Sequence, residues 1–270
     1  MKAPTLKKTL YAALCLLLSS LVGLFLSELI LRRFIPQPLY KWQQGLFESD
    51  PAVFYRLAKN FKAVHTQPEY SYAIRTNSYG FRGPEPRPDA SVRVLILGDS
   101  FAFGQGVDKG KTLSSLIRAH FRGKGLDVDV LNTAVPGYSL MNEKRILERT
   151  LPTYRPHIVF AFFYWNDLIA RGSLKVRNGY LVSDDRLSPR ELRTFLNQNS
   201  HLFTLIKRFS YAFRSSPRNP RGGGHYRDED VRAAARRLLE MKRLSEGSNA
   251  RFRVFIIPWE GIGPGSAPWR

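Results

Sequence analysis

Apolar positions along the chain follow two different patterns. Thr9–Ser27 carries no charged side chain, is rich in leucine, and lies between Lys7-Lys8 and Arg32-Arg33. At ~1.5 Å rise per residue this run nearly crosses a ~30 Å hydrocarbon core, and Leu29 to Leu31 extend it. The pattern predicts a membrane helix over 9–31, with residues 1–8 cytoplasmic and Glu28 near the outer interface. A cleaved signal peptide competes with this reading, but no Ala-x-Ala-like site closes the run, which is long for a leader. Lipoprotein processing at Cys15 fits poorly, because bulky Leu14 precedes it. The short basic N-terminus favours an N-in orientation with the rest of the chain outside.

From Val92 the pattern becomes alternation of short apolar runs with amphipathic stretches. Val92–Leu97, Val128–Leu131, Ile158–Phe163 and Phe252–Ile257 read as strands. Helices are expected at about Thr112–Arg122, Met141–Leu151, Ser188–Asn197, His201–Phe213 and Asp228–Ser245. Acidic Asp228, Glu229 and Asp230 suit the start of the last one. Continuous β-rich runs are typical of parallel strands buried on both faces. Repeated βα units then imply a flavodoxin-like, three-layer α/β/α domain over 91–270. Residues 32–90 form no long helical period and are expected to be an extended juxtamembrane segment. Within it Thr76–Gly83 reads as a turn, and Pro84, Pro86 and Pro88 as a stiff spacer. Arg214–Gly224, rich in Pro, Gly, Ser and Arg, reads as a loop.

Composition adds two constraints. A single cysteine rules out an intrachain disulfide framework and a cysteine-rich metal site. The net charge of +20 has two readings. Either the charges are simply solvated, or they meet an acidic partner such as anionic lipid or an acidic polysaccharide. No RNA-binding signature or zinc-finger spacing accompanies them, and a membrane anchor argues against nucleic acid.

Reactive groups in parallel α/β folds gather at the carboxyl ends of strands. Three such ends carry Gly98-Asp99-Ser100, then Asn132 with Pro136-Gly137-Tyr138, then Trp165-Asn166-Asp167. Each alone suits any strand-to-helix turn. Together and in this order they resemble the SGNH/GDSL serine hydrolase family, over about Ser91–Ile257. The Thr76–Gly83 turn ahead of them looks like the membrane-anchored bacterial members. Tyr164 departs from the pattern, standing where many members have glycine.

The resemblance implies ester hydrolysis or O-acyl transfer on an acylated substrate, carbohydrate in view of the anchor, on the periplasmic side of a bacterial inner membrane. No cofactor and no metal are implied. Ser100 would be the nucleophile. The backbone N–H groups of Ser100 and Gly137 and the side-chain amide of Asn166 would form the oxyanion hole. Gly98, Asp99 and Asp167 would support these loops.

The family draws its base from an Asp-x-x-His block near the C-terminus, and none of His65, His120, His157, His201 or His225 has an aspartate three residues before it. His225, beside Gly222–Gly224, is the one candidate base that a loop could carry to Ser100. The tail after Glu260 shows no helix or strand pattern. The domain is therefore expected to lack its last strand and helix, as a truncated or frame-altered product or a degenerate member. Two other functions stay open: a non-catalytic, membrane-anchored glycan-binding module, and a flavodoxin-like binding domain. The second is weakened because no Gly-x-Gly-x-x-Gly opens the first strand-to-helix loop.

Overall fold

The computed structural model describes residues 3–168, 174–183, 189–212 and 227–257. The chain begins with α1 (Ala3–Phe34), followed by β1 (Phe47–Asp50), β2 (Phe54–Leu57), β3 (Lys62–Gln67) and β4 (Tyr70–Arg75). Next come β5 (Val92–Gly98), α2 (Ser100–Phe103), α3 (Leu113–Gly123), β6 (Val128–Asn132), α4 (Leu140–Tyr154) and β7 (Ile158–Phe163). The last elements are β8 (Leu174–Arg177), β9 (Tyr180–Ser183), α5 (Pro189–Asn199), α6 (His201–Ala212), α7 (Asp228–Gly247) and β10 (Arg251–Ile256).

They form two compact units. One holds Met1–Lys41, Thr66–Tyr70 and Arg186–Asn219; the other holds Trp42–His65, Ser71–Asp185 and Pro220–Arg270. In the second unit a four-stranded sheet runs in the order β10-β7-β5-β6, with every neighbour parallel. Its first strand, β5, therefore lies between the second, β6, and the third, β7, as in flavodoxin-like folds. Val94, Leu95, Ile96 and Leu97 are each no more than 1% exposed, which is why this stretch reads as an unbroken apolar run. All five residues of β6 are buried as well. α4 packs on β5 and on α7, and α7 on β10. Tyr154 of α4 donates to Asp129 of β6 at 3.0 Å.

Local sequence explains the helix starts. Thr112 caps α3 by accepting from Ser115 N–H, and Ser139 with Asn142 forms a capping box at α4. The expected strands and helices are present, with ends shifted by at most three residues. The Arg214–Gly224 loop and the tail from Glu260 lie outside the described residues.

Two expected boundaries need correction. Residues 42–65 and 71–90 are not an extended spacer, because they belong to the sheet-bearing unit. Leu46, Phe47, Val53 and Leu57 are buried, Asp50 accepts from both terminal nitrogens of Arg149 on α4 at 2.8 and 3.0 Å, and Asn142 donates to Val53 O. In the other direction, α5 and α6 leave the expected 91–270 domain for the unit of α1, where α6 packs on α1 and α5 on α6. The expected membrane span lies within α1, whose Lys7–Phe34 portion is long and apolar enough to cross a bilayer.

Candidate active site

β5 ends at Gly98, whose φ of +152° suits glycine. An added Cβ there would lie 2.6 Å from Ala102 Cβ and 3.2 Å from Phe162 O. The strand can turn at once into α2 because position 98 has no side chain. Asp99, fully buried, is the N-cap, and its Oδ1 accepts from Phe101 N–H at 2.9 Å. Ser100 is the first residue of α2 and remains partly exposed.

On the neighbouring strand, β7 leads into a short 3₁₀ turn at Trp165–Leu168. Buried Asp167 closes that turn by accepting from Tyr164 N–H at 2.7 Å. Asn166 Nδ2 then donates to Asp99 Oδ2 at 2.9 Å, and Ser100 Oγ lies 3.4 Å from the same oxygen. The hydroxyl and the amide thus converge on one atom at the carboxyl edge of the sheet. They sit between β5 and β7, where strand order reverses and ligands bind in open α/β sheets. An amide nitrogen has two donors, so this bond leaves one for a ligand.

The loop after β6 is tied to the same turn. Asn132 Nδ2 donates to Ala102 O at 2.8 Å, its Oδ1 accepts from Ala134 N–H, and Val135 N–H donates to Gly98 O at 3.3 Å. Gly137 follows with φ +84°. An added Cβ would stand 2.8 Å from Tyr55 Oη, which itself donates to Pro136 O. The need for glycine here is therefore set by backbone conformation and by Tyr55 on β2. No hydrogen bond joins Gly137 to Ser100 or Asn166 among the described residues.

No imidazole among the described residues hydrogen-bonds Ser100. His65 is stacked on Trp42 at 4.3 Å, and burial lowers its pKa to about 4. His120 packs edge-on against Phe121. His157 Nδ1 accepts from Arg93 N–H, and His201 belongs to the α1 unit, where its Nδ1 accepts from Gln37 N–H. His225 lies outside the described residues.

Sequence reasoning missed three residues. Glu143 is 1% exposed, and both its carboxyl oxygens are buried without a hydrogen-bond partner among the described residues. Burial pushes its pKa well above the usual carboxylate range, and the charges of Asp167 and Asp99 add to the rise. A signal was present, because Glu143 falls on the inward stripe with Ile146, Leu147, Thr150 and Leu151. Arg82, in the Thr76–Gly83 turn, is 5% exposed and donates to Phe103 O, Gly104 O, Ala73 O and Val107 O at 2.6–3.0 Å. It thereby holds the end of α2. Phe101, 51% exposed, packs against Tyr164 with ring centroids 4.5 Å apart, so an aromatic surface borders Ser100 and Asn166.

A mostly apolar cavity of about 250 Å³ lies elsewhere in this unit, lined by Leu57, Phe81, Leu131, Val135, Tyr138 and Ile146 among others. Its wall includes Val135 and Tyr138, close to Gly137 in sequence, but neither Ser100 nor Asn166. No three acidic, histidine or cysteine side chains among the described residues are placed to hold a metal ion.

No family model matches the chain, and no curated protein matches it. Similar solved structures include AlinE4, an SGNH-hydrolase family esterase, at 19% identity and TM-score 0.31, covering 60% of this chain and 75% of that one. The psychrotrophic esterase EstA from Pseudoalteromonas sp. aligns at 18% identity and TM-score 0.31, covering 60% and 76%. A family 3 carbohydrate esterase of Clostridium thermocellum aligns at 15% identity and TM-score 0.29, covering 61% and 77%. Likeness of this size carries no weight for the chemistry, which rests on the chain's own residues.

Proposed function

We propose that this chain is a serine hydrolase of the SGNH/GDSL type, held at a membrane by α1 and acting on the ester bonds of an acylated, carbohydrate-class substrate. One observation carries the reading. Ser100 Oγ and Asn166 Nδ2 meet at Asp99 Oδ2, at the point of the sheet where such folds bind ligands.

In this reading Ser100 Oγ attacks the ester carbonyl and the carbonyl oxygen becomes an oxyanion. It would be met by the backbone N–H groups of Ser100 and Gly137 and the second amide proton of Asn166. Asp99 supports the site by fixing the Asn166 amide and the first turn of α2. The acyl group passes from the alcohol to Ser100 and then to water or to an acceptor hydroxyl. The Phe101–Tyr164 surface suits an apolar acyl chain or the flat face of a sugar ring. Attack requires a group that takes the Ser100 proton, and His225 is the candidate that the sequence offers.

A non-catalytic glycan-binding module is the second reading. It is favoured by the four described histidines, all engaged away from Ser100. A fluorophosphonate probe separates the two. The hydrolase reading expects covalent labelling that Ser100→Ala abolishes, with p-nitrophenyl acetate turnover lost in the same variant. Turnover that also disappears in His225→Ala would identify the base. If His225→Ala changes nothing, turnover is expected to be slow, at the level of oxyanion stabilisation and binding alone; in serine proteases that is ~10³–10⁴-fold over water. A chain that neither labels nor turns over would overturn the hydrolase reading.

A further inference from the structure

The α1 unit contains a feature that ester hydrolysis leaves unused. α5 and α6 are consecutive helices joined through Ser200, and the pair is fastened to the C-terminal end of α1. The side chain of Glu28 accepts from Ser200 Oγ, His201 N–H and Leu202 N–H, each at 2.9 Å. The first turn of α6 is thus capped by a carboxylate from α1, which satisfies amides that a helix start leaves open. Arg32 donates to Asn199 O at 3.0 Å. Gln37 N–H donates to His201 Nδ1 at 2.8 Å, and Arg208 donates to Gln37 Oε1 at 2.8 Å. These bonds place the pair beside the last turns of α1, just where its uncharged stretch ends.

The pair also keeps large apolar side chains in the open. Leu192 and Phe195 on α5 are 58% and 61% exposed, and Ile206 and Phe209 on α6 are each 57% exposed. Each pair is spaced i, i+3, so each shares one helix face. An aqueous surface gives no reason for four such residues on two short helices. Arg193 and Arg208 stand next to them in sequence, and Arg32 and Arg33 close α1. Apolar side chains interleaved with arginines are the pattern of helices that lie in the headgroup zone of a bilayer. Continuity supplies the occupant, because α1 exposes Leu10 to Leu26 along its length and packs directly on α6.

We propose that α5 and α6 are a membrane-interface helix pair, seated at headgroup level on an anionic bilayer with Leu192, Phe195, Ile206 and Phe209 in the lipid. The inference rests on α1 crossing that bilayer. It also assigns part of the +20 charge to anionic lipid.

The single cysteine makes the test direct. The full chain is labelled at Cys15 with an environment-sensitive dye in vesicles of phosphatidylcholine and phosphatidylglycerol. Phe195→Cys, Phe209→Cys and Arg232→Cys are labelled in a Cys15→Ser background. Lipids carrying a nitroxide either deep or near the headgroup then report depth. The expected result is deep quenching at 15, shallow quenching at 195 and 209 several times that at 232 on α7, and weaker shallow quenching without phosphatidylglycerol. Deep quenching at 15 with 195 and 209 no different from 232 would overturn the interfacial seat of α5 and α6 while leaving the anchor. No deep quenching at 15 would remove the anchor and the inference with it. Blue-shifted emission at 195 and 209 that lipid nitroxides do not quench, and that falls on diluting the protein in lipid, would mean that a second copy covers this face.

Discussion

Glu143 is a carboxyl group that the fold confines with two others. It is buried on α4, and Asp99 and Asp167, themselves buried, are near enough to oppose its ionisation. A proton retained only in the folded state makes stability fall as pH rises. The contribution is complete below the ordinary glutamate range and is lost progressively up to the raised folded value. Glu143→Gln keeps the volume and removes the titration. The variant is expected to gain on the parent by about 1.4 kcal/mol for each pH unit climbed above that ordinary range, until Glu143 ionises in the folded state. Urea unfolding from mildly acidic to mildly alkaline pH measures it. Parallel stability curves for parent and variant would show that Glu143 ionises as it does in water. The site's other residues were more legible. Ser100 and Asn166 stand at strand ends that the apolar runs mark plainly, whereas Glu143 shows itself only as a charge on an inward helical stripe, a pattern that says nothing of what faces it.

At the scale of elements, the Thr76–Gly83 turn acts through Arg82, whose guanidinium fills a space between Tyr72 and Phe103 and donates to four carbonyls. Two of those carbonyls end the helix that Ser100 begins. Lysine would keep the charge, but its three donors share one nitrogen and cannot span the carbonyls that Arg82 reaches from two separate nitrogens. Arg82→Lys is expected to destabilise by about 1–3 kcal/mol for each carbonyl left without a donor, and to slow fluorophosphonate labelling of Ser100 at temperatures where the variant is still folded. Labelling at the parent rate would mean that Arg82 supports the fold without positioning Ser100. The turn itself was readable from Asn77 and Gly80, but its target lay out of reach because Arg82 and Gly104 are joined only by folding. The same is true of Glu28 and α6, and of Tyr55 and Gly137. The hairpin of β8 and β9 is a different case. Asn178-Gly179 between two short alternating runs is a two-residue turn signal, and the strand–helix reading passes over it.

For the whole molecule, the exposed side of the sheet bears on solubility. Among the described residues β10 is paired on one side alone, with β7, and β6 closes the other end of the sheet. Val254, Phe255 and Ile256 are 38%, 44% and 48% exposed, and Phe255 stacks on Phe162 with centroids 5.0 Å apart. An unpaired strand edge of this apolar character is a template for pairing with another chain, and proteins that keep such edges apart commonly place a charge on them. Val254→Lys introduces one at an already exposed position, on a strand whose buried anchor, Phe252, is untouched. Self-association measured by sedimentation over a concentration series is therefore expected to fall in Val254→Lys, with the unfolding midpoint changed little because an exposed position contributes little to the core. The measurement is to be made in parallel on a chain in which Leu239, exposed on α7, becomes lysine. If both substitutions reduce association equally, net charge is the cause and the β10 edge has no special part. If Val254→Lys alone reduces it, the edge strand is where copies of the chain meet.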